Sequence, residues 1–273
     1  MQQALYFKIL QRRNRYRNSN NITELPLGLI YTQAEYEEAH SYLERLQLLQ
    51  IQYTYPGHEF YPPAFLKMKE PPLFLEFMGR PLWLESEMLS VVGSREISDL
   101  TESWMKSHLP EFLNYNLQRI GIVSGGARGV DQTSHLIAIK NKKPTVFVLP
   151  SGLMDLYPKN LNAFREDYLS GSDICFLTEF ETHQRIHKSH FYFRNRLIAA
   201  LGKMTFVTQS SLKSGSLLTV HHCLEIGKPV LTIPSHPEMH GFGGNIKLMQ
   251  EGAFMVSSYH DLLDFWMAES GCL

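Results

Sequence analysis

Apolar positions in this chain gather into short runs separated by segments with helical spacing. The runs Leu89–Val92, Ile120–Val123, Thr145–Leu149, Ile174–Leu177, Met204–Thr208 and Pro229–Ile233 are four or five residues long. They carry no polar alternation, which predicts strands buried on both faces. Between them, Asp99–Leu117, Val130–Lys140, Leu161–Leu169, Phe191–Leu201 and Ser216–Ile226 predict helices. The last is well delimited: Gly227 can supply a left-handed cap and Pro229 prevents continuation. Strand and helix in alternation read as βαβ units on a parallel sheet covered on both faces. In that architecture ligands sit beyond the C-terminal ends of the strands.

The first third of the chain reads differently. Tyr36, Ala39, Leu43, Leu46 and Leu49 repeat at three- and four-residue spacing, predicting an amphipathic helix over Gln33–Gln50. Prolines 56, 62, 63, 71, 72 and 81 then mark an irregular connection. Ahead of both, the start through Asn21 carries Lys8, Arg12, Arg13, Arg15 and Arg17 with no acidic residue. Two readings stand open there, a nucleic-acid-binding arm and a solvated helix or loose end.

Composition narrows the class. With 273 residues, 44% of them hydrophobic, the chain can bury a full core. Its formal net charge is −1, so a polyanion must be held by a local patch rather than by overall attraction. Cys175, Cys223 and Cys272 form no spaced pattern, which suits a reducing compartment. No apolar run approaches the roughly 18 residues of a membrane span, and the start lacks the apolar core of a secretory signal. A soluble cytoplasmic protein with no membrane partner is expected.

The candidate chemistry lies in three glycine-marked turns, each following a predicted strand: Gly93-Ser94-Arg95, Ser124-Gly125-Gly126-Ala127-Arg128-Gly129, and Ser214-Gly215-Ser216. Bare backbone N–H groups at a helix start hold phosphate without a cofactor. The middle loop lacks the first glycine of the dinucleotide fingerprint, and no acidic residue lies about 20 positions on, which disfavours a nicotinamide. No Gly-Lys-Ser/Thr follows it either. Arg95, beside such N–H groups, suits bidentate phosphate contact. Asp131 opens the next helix, where a carboxylate stabilises the N-terminus.

A second unusual stretch runs from His187 to Arg196. Between Glu181 and Lys203 there are five Lys/Arg and one acid, with Phe191, Tyr192 and Phe193 inside the run. With Ser189 as helix cap, Phe193, Leu197 and Leu201 would form a buried stripe, and Phe191, Arg194, Asn195 and Ile198 an adjacent face near the strand ends. Cations interleaved with aromatics suit unpaired nucleic acid, whose bases stack on rings at about 1–3 kcal/mol per base. A core-and-solvated-face reading fits the composition equally well. The pairs His183/His187 and His236/His240 lack a third ligand, so no metal or cofactor is expected. Ser124, Ser214 and Ser216 sit in no nucleophile elbow, and no catalytic residue is assigned.

Taken in order, Val91 to Arg95, Ser124 to Asp131 with His135, Gly152-Leu153 with Tyr157-Pro158-Lys159-Asn160, Phe191 to Leu201, Ser214-Gly215-Ser216 with Thr219, and Gly244-Asn245 before Gly252-Ala253 resemble the bacterial DNA-processing protein A family, also called Smf. The match covers roughly Tyr61 to Ala253. The resemblance implies an α/β, extended Rossmann-like fold, mostly parallel, over residues 56–269, preceded by a helical segment over 1–55. It further implies a non-enzymatic homodimer that binds single-stranded DNA, protects incoming strands in natural transformation and loads the RecA recombinase. Carried across by motif, the DNA-binding positions are Gly93, Ser94, Arg95, Ser124, Gly125, Gly126, Arg128, Gly129, Lys188, Phe191, Arg194, Asn195, Arg196, Ser214, Gly215, Ser216 and Asn245. Among these the resemblance gives Arg95 to phosphate, Lys188 to the backbone and Phe191 to a base, with N–H groups from the second and third turns.

The chain departs from the family pattern at Gln132, where a small residue is usual, at Thr178-Glu179-Phe180, and at Pro234-Ser235. After Trp266 no room is expected for the winged helix that many relatives carry. The competing reading is a nucleotide-processing enzyme or sensor of the phosphoribohydrolase type. Neither Ser124-Gly125-Gly126 nor Pro150-Ser151-Gly152 continues into the Gly-Thr and glutamate of that group.

Overall fold

The computed structural model describes residues 1–13, 31–115 and 119–269. Among these, nine strands form one sheet in the order β1-β2-β6-β5-β4-β3-β7-β8-β9. The strands are β1 (Gln52–Thr54), β2 (Leu75–Met78), β3 (Glu87–Val92), β4 (Ile120–Ser124), β5 (Thr145–Val148), β6 (Ile174–Thr178), β7 (Gly202–Val207), β8 (Val230–Thr232) and β9 (Phe254–Met255). From β6 to β9 every neighbouring pair is parallel, whereas β1 and β2 run antiparallel at one edge. The six predicted strands are all present, with ends displaced by no more than two residues.

Alternate residues of each strand feed opposite faces, as period two requires. Val92, Val123, Val146 and Val148 pack against α7 (Lys188–Leu201) and α8 (Ser216–Glu225). Leu89, Val91, Ile120 and Ile122 face α4 (Asp99–Asn114), α5 (Val130–Lys140) and α10 (Tyr259–Ala268). Helices therefore cover both faces. The helix predicted over Asp99–Leu117 ends at Asn114, and Leu117 lies outside the described residues. Ser98 caps it, its hydroxyl accepting the Thr101 N–H. At the far end of α8, Gly227 takes φ +69° and its N–H reaches the Leu224 carbonyl.

Two expectations for the first third are corrected. The proline-marked connection contains β2, all four residues of which are buried, paired antiparallel to β6. The basic start is neither a free arm nor a solvated helix over the described part. Gln2–Arg13 forms α1, which buries Leu5, Phe7, Ile9 and Leu10 against α2 (Gln33–Leu48) and against Phe74, Phe147 and Phe176 of the sheet side. Lys8 is fully buried, 3.5 Å from Glu76 and 3.2 Å from Glu181, while Arg12 pairs with Glu38 and Glu181, and Arg13 with Glu35. These cations are already held by carboxylates of the same chain. Arg15 and Arg17 lie outside the described residues.

α2 is the predicted amphipathic helix, with Ala39, Leu43 and Leu46 buried. Thr32 and Glu35 close a reciprocal capping box at its start. The shared apolar cluster ties α1 and α2 to β5 and β6, and the boundary expected at residue 55 falls just past β1. Among the described residues no helix is long and apolar enough to cross a membrane.

Candidate nucleic-acid interface

The strand order reverses direction at β3. From β3 the chain steps outward through β4, β5 and β6, then returns to pair β7 on the other side of β3. At such a switch point the loops leaving neighbouring strands part and open a crevice. The three glycine turns leave β3, β4 and β7, and they do converge. The Ser94 N–H reaches the Gln209 carbonyl at 2.7 Å, and the Val130 N–H reaches the Ser94 carbonyl at 3.1 Å. Gly129 takes φ +76°, and a Cβ there would lie 2.4 Å from the Ser94 carbonyl oxygen. Only glycine permits both the backbone angle and the approach.

Helix α7 forms the wall opposite these turns. It begins one residue ahead of the expected cap: His187, not Ser189, accepts the Ser189 N–H through Nδ1. The consequence for the exposed face is small. Phe191, Arg194, Asn195 and Ile198 share the side turned to the crevice, as the spacing predicts. Phe193, expected in the buried stripe, is only half-buried and lines a separate hollow beside Arg196.

Two cavities meet along Phe191. The first, about 450 Å³, is lined by Arg95, Arg128, Lys159 and Arg194 with Tyr157 and Phe191, and no carboxylate is among its lining residues. The second, about 320 Å³, adds Ser94, Ser211, Ser214, Gly215 and Ser216, together with Glu96 and Asp131. The half-buried Phe191 ring has two guanidiniums near it, 5.6 Å away at Arg95 and 5.8 Å away at Arg194. Tyr157 meets it edge-on with ring centroids 6.0 Å apart. Arg95 is exposed at the rim. Arg194 is buried, donates from Nη1 to the Val148 carbonyl at 2.9 Å, and has its pKa lowered by burial to about 10. It stays charged at neutral pH.

Several sequence-derived positions make their contacts within the fold, away from the cavity linings. Ser124 is fully buried, and its hydroxyl donates to the Val91 carbonyl at 2.5 Å. Asn245 is fully buried, receiving the Ser210 N–H at 2.7 Å and donating to the Thr208 and Ile233 carbonyls. Arg196 points away from both cavities, donating to the Glu70 carbonyl at 2.7 Å and to Glu179 at 2.5 Å. Lys188 is exposed in the first turn of α7, outside the lining of either cavity. The loop amides are also not all bare: that of Ala127 donates at 3.2 Å to the Asp131 carboxylate, which turns back from α5 rather than merely facing its helix end. Conversely Tyr157, Lys159 and Asn160, part of a motif behind the family resemblance but given no binding role, line the first cavity from the segment that follows β5, the strand beside β4.

A model of the DNA recombination-mediator protein A family matches residues 52–267, which include every element around the crevice. The chain belongs to this family. It is 34% identical over 180 residues to the DNA processing protein DprA of Streptococcus pneumoniae, covering 66% of this chain and 62% of that one. The DprA of Bacillus subtilis is 37% identical over 143 residues, 52% of this chain and 48% of that one. The chain thus spans about half to three-fifths of the length of these curated relatives. The X-ray structure of the S. pneumoniae DprA superposes with a TM-score of 0.73 at 26% identity, covering 96% of this chain and 92% of that chain. The Helicobacter pylori DprA, solved for its single-stranded DNA binding mode, gives 0.68 at 25% identity, covering 80% of this chain and 97% of that chain. The Rossmann-like fold of the DprA family is therefore confirmed here, with its crevice at the switch point.

Proposed function

We propose that the crevice binds single-stranded DNA, and that the chain acts as a recombination mediator without making or breaking bonds in it. One observation carries the reading: the partly accessible Phe191 ring lies close to both the Arg95 and the Arg194 guanidiniums at a strand-order reversal. A base freed from pairing can stack on that ring while its flanking phosphates meet cations, whereas duplex bases present no free face. The single-stranded DNA bound by the H. pylori relative supports the same assignment. Of the two carboxylates lining the crevice, Asp131 is engaged by a loop amide and Glu96 is at the rim, which favours binding over catalysis.

Protection of incoming strands, RecA loading and homodimerisation, in a cytoplasmic setting, complete the proposal. They rest on family membership rather than on geometry. The decisive experiment titrates labelled oligo-dT and a matched duplex at two salt concentrations, using wild type, Arg95→Ala and Phe191→Ala. The expected result is preference for the single strand, loss of affinity in both variants, and a log–log salt slope of about −0.7 per neutralised phosphate. Equal affinity for the two DNAs would overturn it.

A further inference from the structure

The glycine loop that the sequence marks as an anion cradle already contains an anion, and it belongs to the chain. Asp131, the second residue of α5, is 6% exposed. Its Oδ2 accepts the Ala127 N–H at 3.2 Å, and the neighbouring Gly125 amide and Ser124 hydroxyl favour its charged form. Behind it the Gln132 N–H returns to the Ala127 carbonyl at 3.2 Å, closing the loop around the side chain. Arg194 is its electrostatic partner and lies against Gly125 so closely that a Cβ there would fall 1.7 Å from Nη1. Amides converging on one point at a helix start are suited to a phosphate. Here a carboxylate takes that place, with a guanidinium beside it.

On the reading of the crevice given above, we propose that Asp131 is a resident anion that fills the phosphate seat of the glycine loop and so directs strand phosphates outward, to Arg95, Arg128 and Lys159. The carboxylate is a positioning residue. It keeps the loop flat on Arg194, offsets part of that cation's charge, and keeps a DNA phosphate from entering the loop. Grip on the strand is thereby held below what the same cations alone would give.

Asp131→Asn tests this, because it keeps the shape and an oxygen acceptor for the Ala127 N–H while removing the charge. The expected result is about three- to tenfold tighter binding of oligo-dT at moderate salt. The salt slope should steepen by up to about 0.7, one further phosphate. A role confined to holding the fold would lower Tm and affinity together and leave the slope unchanged.

A pH profile gives a second readout. The charged groups that face Asp131 are Arg194 from α7, and Arg95 and Glu96 from the turn after β3, which line the same cavity. Burial raises the Asp131 pKa to about 6 and holds His135 neutral well below its ordinary range. Wild-type affinity should therefore rise as pH falls through that region. All other groups are common to both proteins, so the part of the rise missing from D131N is the part due to Asp131. If D131N fails to fold, Asp131→Ser repeats the comparison, and a flat wild-type profile overturns the proposal with no variant at all. Tight wild-type binding with D131N unchanged or weaker rejects the resident anion only. Failure of wild type to bind oligo-dT rejects the reading of the crevice.

Discussion

Gly125 and Arg194 are packed so that no side chain fits between them: a Cβ built on Gly125 would lie 1.7 Å from Nη1 and 2.4 Å from Cζ of Arg194. The glycine is required by the guanidinium, not by a left-handed backbone. Arg194 has little room to retreat, since it is buried and donates to the Val148 carbonyl. Phe191 lies one helical turn away and has the Arg95 guanidinium close to it as well, so displacing Arg194 disturbs the whole stacking wall.

Gly125→Ala is accordingly expected to lower single-strand affinity by about tenfold and stability by about 1–3 kcal/mol, the usual cost of overpacking. Gly215→Ala provides the contrast, because nothing lies within 4 Å of a Cβ at that position. Its stability should stay within about 0.5 kcal/mol of wild type. Fluorescence anisotropy and urea melts on the two variants check both statements. Unchanged binding in Gly125→Ala would mean that Arg194 does not shape the site.

Arg196 separates motif from mechanism. It belongs to the same basic run as Phe191 and Arg194, but the two steps along the helix from Arg194 turn it through about 200° to another face. There it bonds Glu179 and the Glu70 carbonyl. Arg196→Ala should leave oligo-dT affinity within about twofold while costing about 1–3 kcal/mol, because Glu179 and the carbonyl lose a charged donor. A tenfold loss of affinity with unchanged stability would restore Arg196 to the interface.

How far the sequence could be read follows the range of the interactions. β3 to β8 were legible because each is a short apolar run bounded by turn residues, and their spacing alone implied the βαβ order. β2 was not, since it lies among prolines and includes Glu76, a carboxylate that reads as exposed. Its burial depends on Lys8 and Tyr42, 68 and 34 residues away. α1 was hidden for the same reason, its cations suggesting solvent or nucleic acid while their partners lay elsewhere in the chain. At the site, glycines and a half-buried ring could be placed near strand ends, but no spacing rule shows Asp131 turning back to accept the Ala127 amide.

The Lys8–Glu76 pair makes a coupling prediction. Lys8 is fully buried beneath Tyr42, whose ring centroid lies 4.1 Å from Nζ, and burial pulls its pKa down. Glu76 is pushed up to about 7 by the same burial. Removing one partner leaves the other charge buried, which costs about 3–5 kcal/mol, whereas replacing both can be nearly neutral. Lys8→Met combined with Glu76→Gln is therefore expected to be more stable than the sum of the single variants predicts, by at least about 1 kcal/mol. Additive losses in chemical denaturation would show that the two charges are not coupled. Arg12→Ala and Arg13→Ala, in the same helix, should leave DNA affinity unchanged, and a clear loss in either would revive the nucleic-acid-binding arm.

Acid sensitivity should trace to His135. Its ring is fully buried, stacked on Phe147 with centroids 3.5 Å apart, and its Nδ1 lies 2.6 Å from the Thr145 hydroxyl. Burial, with Arg194 nearby, depresses its pKa well below the ordinary value of 6.5. Below pH 6.5 the unfolded chain therefore binds a proton that the folded chain refuses. Stability contributed by the neutral ring is complete above that pH and is lost as pH falls, by up to about 1.4 kcal/mol per unit. Asp131 and Glu76 act in the opposite sense, because their folded pKa values of about 6 and about 7 lie above the unfolded ones, and their protonation offsets part of the loss. His135→Phe removes the proton site while keeping an aromatic ring against Phe147. Its stability should consequently fall less steeply than that of wild type between about pH 6.5 and pH 5. Urea denaturation at a series of pH values compares the two slopes, and parallel curves would assign the acid sensitivity to other groups.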